Sequence, residues 1–161
     1  MGMSGRAARV LTVSDGVSAG SREDLSGDAL AAMLAAEGFE VSRDLVADEE
    51  TDIVKAIQRA AEEVSLLVTT GGTGFGPRDV TPEATLSVLE REAPALAQAM
   101  VAAGLESTPM AALTRARAGS IGSCLVVNVP GSPRGATESL GAIIGVIPHA
   151  LALLAGEPSH H

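Results

Sequence analysis

The residues best able to do chemistry gather in one stretch, Thr69-Thr70-Gly71-Gly72-Thr73-Gly74-Phe75-Gly76-Pro77-Arg78-Asp79-Val80-Thr81-Pro82. Glycines let backbone N–H groups approach an anion closely, and a helix starting near Thr81 adds the positive end of its dipole. No Gly-Lys-Ser/Thr follows, so this is not the P-loop of an ATPase. Gly72, Gly74 and Gly76 are spaced GxGxG, not the GxGxxG of dinucleotide-binding folds. The pattern allows two readings, a phosphate cradle and a structural turn. Asp48 and Asp79 supply carboxylates. A magnesium ion carrying phosphates takes one or two carboxylates and several waters, whereas an Asp outside a helix also serves as a cap.

The other reactive side chains are few. Lys55 is the single lysine and falls on the charged face of a helix, so an anion-binding side chain must be an arginine: Arg22, Arg78 and Arg134 are the loop candidates. His149 lies in an apolar stretch and reads as a buried or helix-end histidine; His160 and His161 read as a tail. Cys124 is the single cysteine, which excludes a disulfide framework and a multi-cysteine zinc site.

Elements that could position these groups alternate along the chain. Arg9–Ser14 and Ser65–Thr70 are short aliphatic strands, and Phe39, Val41 and Leu45 alternate with Glu40, Ser42 and Asp44 as a half-buried one. Leu30, Met33 and Leu34 have helical spacing, and Ile53, Ile57, Ala60, Ala61 and Val64 trace one helical face. Thr81 suits an N-cap, Pro82 the first helical position, and Glu83 the helix dipole. Pro94 is expected to restart that helix with a kink. Residues 113–129 read as a hairpin around Gly119–Gly122, and a last helix runs from about Gly135 to Leu154. The alternation predicts an α/β fold, a three-layer α/β/α sandwich with a mostly parallel central sheet. Such sheets bind ligands beyond the carboxyl ends of their strands. Ser14-Asp15, Ala47-Asp48-Glu49, Gly71–Gly74 and Asn128–Pro133 all fall there.

Composition narrows the rest. The 161 residues suit one domain, with a core over about residues 8–156 and short flexible tails; 46% of them are hydrophobic and only 19% charged. Two Phe and no Tyr or Trp leave no platform for stacking single-stranded nucleic acid. A net charge of -9 disfavours a phosphate-backbone binder. Ser139–Gly156 carries no formal charge, but Pro148 interrupts it and Gly141 and Gly145 dilute it, so a buried terminal helix is expected in place of a membrane span. No apolar segment of signal-peptide length follows Arg6 and Arg9, so a cytoplasmic location is expected.

Several of these segments together resemble the MoaB/Mog family. They are Leu11–Asp15, Glu23-Asp24-Leu25-Ser26-Gly27, Thr70–Gly74 through Thr81-Pro82-Glu83-Ala84-Thr85, Asn128–Pro133 and Pro148-His149-Ala150-Leu151. The family comprises molybdopterin adenylyltransferases of molybdenum cofactor synthesis, related to domains of gephyrin and plant Cnx proteins, and the resemblance spans about Arg9 to Gly156. It implies that Gly71, Gly72, Thr73, Gly74 and Arg78 bind the nucleotide phosphates. Asp48 and Asp79 become the catalytic carboxylates and magnesium ligands. Ser14, Asp15, Asp24, Ser26, Gly27, Asn128, Pro130, Gly131, Ser132 and Arg134 line the molybdopterin side. It further implies Mg2+ as cofactor, ATP as co-substrate, a homotrimer and a molybdenum-insertase partner. Glu49, Thr114 and Ser132 depart from the residues common in the family; Thr and Glu preserve the chemistry. A non-catalytic molybdopterin-binding protein and an oligomeric scaffold are the rival readings, and intact Asp48 and Asp79 favour the enzyme. With Phe39 and Phe75 the only aromatic side chains, pterin recognition is expected to rest on polar groups of Asp24–Gly27 and Asn128–Arg134.

Overall fold

Branched aliphatic runs become the central strands of a sheet, seen in a computed structural model that describes residues 6–157. Strand β1 (Ala7–Val13) pairs in parallel with β2 (Glu40–Val46) on one side and β3 (Leu66–Thr70) on the other. Strand β3 in turn pairs in parallel with β6 (Cys124–Val129). Two antiparallel strands, β5 (Ala118–Ile121) and β4 (Arg91–Glu92), complete the order β2-β1-β3-β6-β5-β4.

Helices cover both faces. Alternation along β1 and β3 sends Val10, Leu66 and Val68 to one side, where they pack with Leu30 and Leu34 of α2 (Leu25–Ala36) and Leu140 of α6 (Pro133–Ile143). Leu11, Val13 and Leu67 go to the other, against Ile53 and Ile57 of α3 (Glu50–Glu63) and Ala84 of α4 (Thr81–Val88). Two separate apolar clusters on one sheet make the three-layer sandwich that the alternation predicts. A single helical turn, α1 (Asp15–Ser18), follows β1; α5 (Pro94–Leu105), a 3-10 turn (Pro109–Leu113) and α7 (Ile147–Leu154) complete the chain.

Several local expectations are corrected. The last helix is two, α6 and α7, bent by 65° across residues 144–146. Pro148 in the first turn of α7 has no N–H to give the preceding turn, so it starts a helix there instead of continuing one. No single helix among the described residues is long and apolar enough to cross a membrane. Pro94 does not kink a helix: α4 ends at Val88, and the chain pairs as β4 before α5 begins. The hairpin turn lies at Gly122-Ser123; Gly119 is inside β5, where a Cβ would stand 2.2 Å from the Arg91 carbonyl oxygen. Thr81 lies inside α4, so Val80 holds the cap position and offers no side-chain bond. Leu45 is 41% exposed because β2 is an edge strand. His149 is exposed in the first turn of α7, and Lys55 is exposed on α3 as expected. The tails, with His160 and His161, fall outside the described residues.

Candidate active site at the carboxyl edge of the sheet

The parallel strands β1, β2, β3 and β6 all end at one edge, and a polar cleft of about 430 Å3 opens there. The loops after β1, β2, β3 and β6 bring Ser14, Asp48, Gly71, Gly72, Gly131 and Ser132 to its wall. Asp79 comes from the end of the glycine loop, and Asp24 and Ser26 from the start of α2.

The glycine loop is held in a shape only glycine takes easily. Gly71 and Gly72 have φ of 102° and 68°. A Cβ on Gly71 would stand 2.3 Å from the Val13 carbonyl oxygen, and one on Gly72 2.3 Å from Thr81 Oγ1. Thr81 Oγ1 donates to the Gly71 carbonyl at 2.9 Å, and Thr81 N donates to the Gly72 carbonyl. The hydroxyl expected to cap α4 therefore ties that helix back to the loop. Gly71 N donates to the Val129 carbonyl at 3.2 Å, which removes this amide from phosphate binding. Anion contacts fall to the amides beyond it. Arg115, which the sequence did not single out, fixes the far side of the loop by donating to the carbonyls of Gly74 and Asp79. Its guanidinium also lies over the Phe75 ring, 5.4 Å from the centroid. Its signal in the sequence was faint, an arginine 36 residues beyond the motif it holds.

The carboxylates differ in state. Asp48 Oδ2 accepts from Asp15 N, and Asp15 Oδ1 accepts from Asp48 N, both at 2.9 Å, which locks the ends of β1 and β2 together. Asp48 does not cap α3, whose N-cap is Glu49. Burial pushes the Asp48 carboxyl above its usual range, and the charges of Asp15 and Asp79 push the same way. Asp79 Oδ2 accepts from Gly76 N at 2.9 Å. Asp15 is held below its usual range, chiefly by Arg78, whose guanidinium donates twice to it and once to Glu49.

These bonds separate residues that face a ligand from those that hold the cleft in shape. Arg78 is committed to Asp15 and Glu49 and is absent from the cleft wall. Arg134 is 79% exposed, outside the cleft, and 3.7 Å from Glu138. Arg22 lines the cleft, exposed and with no ion pair or hydrogen bond among the described residues, so of the three candidate arginines it is the one free to meet an anion there. Asp24 caps α2 through Gly27 N and takes bonds from Thr12 Oγ1 and Arg43, so its carboxylate is largely occupied. Gly27 is buried behind it, where a Cβ would stand 2.3 Å from Asp24 Oδ2. Ser26 Oγ is hydrogen-bonded to Thr70 Oγ1, which also donates to the Pro130 carbonyl. Ser14 and Ser132 cap α1 and α6. Asn128 requires a correction. It is fully buried; its amide nitrogen donates to Thr69 and Thr85, and its oxygen accepts from Arg117 N. No amide proton remains for a ligand, so Asn128 bolts β3, β6 and α4 together.

Asp48 and Asp79 fit the metal that the resemblance implies. Each has one carboxylate oxygen on a backbone N–H and a second outside that bond. Among the described residues no three His, Cys, Asp or Glu side chains converge into a metal cage. Two carboxylates beside a phosphate site match magnesium, which keeps waters and shares phosphate oxygens. Burial is the main reason Asp48 is raised; the lesser repulsion from Asp15 and Asp79 is the part a cation would relieve.

Comparison with known proteins agrees with the fold. The chain is 38% identical over 152 residues to the molybdopterin adenylyltransferase of Helicobacter pylori strain J99, covering 91% of this chain and 86% of that protein. It is 37% identical over 155 residues to the molybdenum cofactor synthesis protein cinnamon of Drosophila melanogaster, covering 93% of this chain but only 26% of that longer protein. The crystal structure of the molybdopterin biosynthesis enzyme MoaB from Thermus thermophilus superposes with a TM-score of 0.88 at 47% identity, over 95% of this chain and 98% of that one. Residues 9–149 match the family described as "Probable molybdopterin binding domain", and the chain belongs to that family.

Proposed function

We infer that this chain is a molybdopterin adenylyltransferase of molybdenum cofactor biosynthesis, transferring AMP from ATP to the terminal phosphate of molybdopterin with release of pyrophosphate. The observation that carries this reading is the meeting of Asp48 and Asp79 with a glycine-built anion loop in one polar cleft. The position of Asp48, partly buried and beside the charges of Asp15 and Asp79, supports a cation there.

The chemistry asks little of side chains as acids or bases. The molybdopterin phosphate is largely anionic at neutral pH, since a second phosphate pKa is about 6, so it attacks the α-phosphorus without a general base. The protein has to place nucleophile and leaving group in line and offset converging negative charge. Asp48 and Asp79 hold the magnesium ion, which when bound neutralises phosphate charge and orients the triphosphate. The amides beyond Gly71 and the guanidinium of Arg22 face the phosphates. Arg78 acts from behind, holding Asp15 ionised and thereby the Asp15–Asp48 lock. These local donors outweigh the net charge of -9 within a Debye length of about 8 Å at physiological salt.

The protein works in the cytoplasm as a homotrimer and passes its product to a molybdenum insertase. Light scattering gives a mass near three times 16.1 kDa if the trimer is right, and near 16.1 kDa if it is not. The deciding assay incubates pure protein with molybdopterin and Mg-ATP. Adenylylated pterin and pyrophosphate are expected; pterin binding without turnover reduces the protein to a binding module.

A further inference from the structure

Successive peptide groups of the glycine loop share one pattern. Their oxygens are taken by the fold: that of Gly71 by Thr81 Oγ1, Gly72 by Thr81 N, Thr73 by Arg115 N and Gly74 by Arg115 Nε. Their nitrogens, the amides of Gly72, Thr73, Gly74 and Phe75, donate to no group among the described residues. A trans peptide points its N–H opposite to its C=O, so each held oxygen turns an unspent donor the other way. Thr81 secures the amides of Gly72 and Thr73 in this manner, and Arg115 those of Gly74 and Phe75.

The same guanidinium reaches further. Arg115 Nη2 donates to the Asp79 carbonyl at 2.8 Å, and Nη1 donates to Glu83 in the first turn of α4. Asp79 is thereby fixed at three points: its N donates to the Gly76 carbonyl, its Oδ2 accepts from Gly76 N, and its carbonyl accepts from Arg115. Its Oδ1 is outside these bonds, on a residue that lines the cleft. One side chain therefore sets both a pair of anion donors and a carboxylate placed for magnesium. Three different guanidinium nitrogens serve three separate oxygens, which the single nitrogen of a lysine cannot copy. Arg115 is absent from the cleft wall, so it acts through the loop and not on the phosphates.

We propose that Arg115 is a positioning residue for adenylyl transfer, holding the amides of Gly74 and Phe75 and the carboxylate of Asp79 in place for a magnesium-bound triphosphate; the proposal rests on the adenylyltransferase reading. Without the guanidinium, Asp79 keeps its two bonds to Gly76, but the Gly76–Asp79 turn loses its tie to the rest of the fold and swings as a unit. The carbonyl of Gly74 is released as well, so the amide of Phe75 no longer has one direction. The damage falls on the triphosphate and the metal, and is read in Mg-ATP affinity, magnesium requirement and kcat. The ion pair with Glu83 steadies the guanidinium from the helix side and touches neither the loop carbonyls nor Asp79.

The test compares wild type, Arg115→Lys, Arg115→Ala and Glu83→Gln at a temperature where thermal melting shows each of them folded. Mg-ATP affinity is measured by calorimetry without the acceptor, and adenylylation is titrated with magnesium and with molybdopterin. Both Arg115 variants are expected to bind Mg-ATP at least about tenfold more weakly and to lose at least about thirtyfold in kcat, with KM for molybdopterin within about twofold. Their half-maximal turnover should need at least about fivefold more magnesium. Glu83→Gln, which breaks the ion pair and leaves the carbonyl bonds, should match wild type in all of these readouts. If Arg115→Ala does not fold, Arg115→Lys decides by the same measurements. A folded Arg115→Lys protein with wild-type Mg-ATP affinity and magnesium requirement overturns the proposal. Losses in Glu83→Gln equal to those of the Arg115 variants overturn it too, and make Arg115 a brace for the fold alone. A wild type that binds Mg-ATP but leaves molybdopterin unmodified sinks the function, and Mg-ATP affinity then decides the role of Arg115 by itself. A wild type that binds no Mg-ATP sinks both.

Discussion

Replacing Gly72 by alanine tests how the glycine loop is held. At φ 68° an alanine is in the left-handed region, at a cost of about 1–2 kcal/mol. Its Cβ would also stand 2.3 Å from Thr81 Oγ1, so that hydroxyl must leave its 2.9 Å bond to the Gly71 carbonyl. An unpaired buried acceptor costs about 1–3 kcal/mol. Gly72→Ala is therefore expected to lose about 3 kcal/mol in total. For a chain of this length that lowers Tm by about 6–12 °C. Thr81→Ala alone loses the same bond, about 2 kcal/mol. In the double variant the bond is lost only once and the clash is gone; the nearest Thr81 atom is then Cβ at 3.4 Å. The double variant should thus be about as stable as Gly72→Ala alone, a departure from additivity of about 2 kcal/mol. Urea unfolding of the four proteins measures this. Additivity to within about 0.5 kcal/mol, or a Gly72→Ala protein melting like wild type, refutes the tie between loop and helix.

Four further outcomes follow from the site. Asp48 holds its proton above the ordinary 3.8, so stability falls as pH rises through the interval between the unfolded and folded values. Asp48→Asn should therefore melt no lower than wild type at pH 7, with its advantage shrinking toward pH 3.8, while adenylylation falls at least about a hundredfold, about 2.7 kcal/mol; a lower melting point at pH 7 contradicts this. Asn128→Leu strands the hydroxyls of Thr69 and Thr85 and the Arg117 N–H and should lose at least about 3 kcal/mol in urea unfolding; a neutral effect with weakened molybdopterin binding would restore it as a ligand contact. Arg22→Gln should weaken Mg-ATP binding several-fold in calorimetry while Arg134→Gln does not, and the reverse ranking would show the anion site misplaced. EDTA should abolish turnover without moving the melting temperature, and magnesium should restore it; a protein that melts earlier in EDTA would have a structural metal instead.

Elements with strong periodicity were legible from residue order alone. Ile53, Ile57 and Ala60 do face one cluster, and the strands carrying Val10, Val68 and Val126 lie where aliphatic runs placed them. What failed depended on distant partners. Leu89–Ala93 contains helix formers, yet backbone bonds to β5 pull it into an edge strand. In the site, the loops that converge were readable because parallel strands put their ends together. Facing was not readable: all of β6 is buried, so period two says nothing of which side Asn128 takes. Asp24 and Arg78 illustrate a second limit, since charged residues at strand ends look alike whether they bind a ligand or one another.

The two borders of the sheet have a consequence for assembly. Strand β2 is a seven-residue edge with Glu40, Arg43 and Asp44 spaced along it, and Arg43 is tethered to Asp24 and Asp28. The opposite border, β4, is two residues long and wholly charged. Charged and very short edges are how β proteins discourage a second chain from adding a strand. Backbone amides of β2 that became protected from hydrogen exchange on assembly would contradict this. Both borders therefore discourage strand addition, and the trimer proposed above would have to form through helices and loops, with the sheet of each copy ending within that copy.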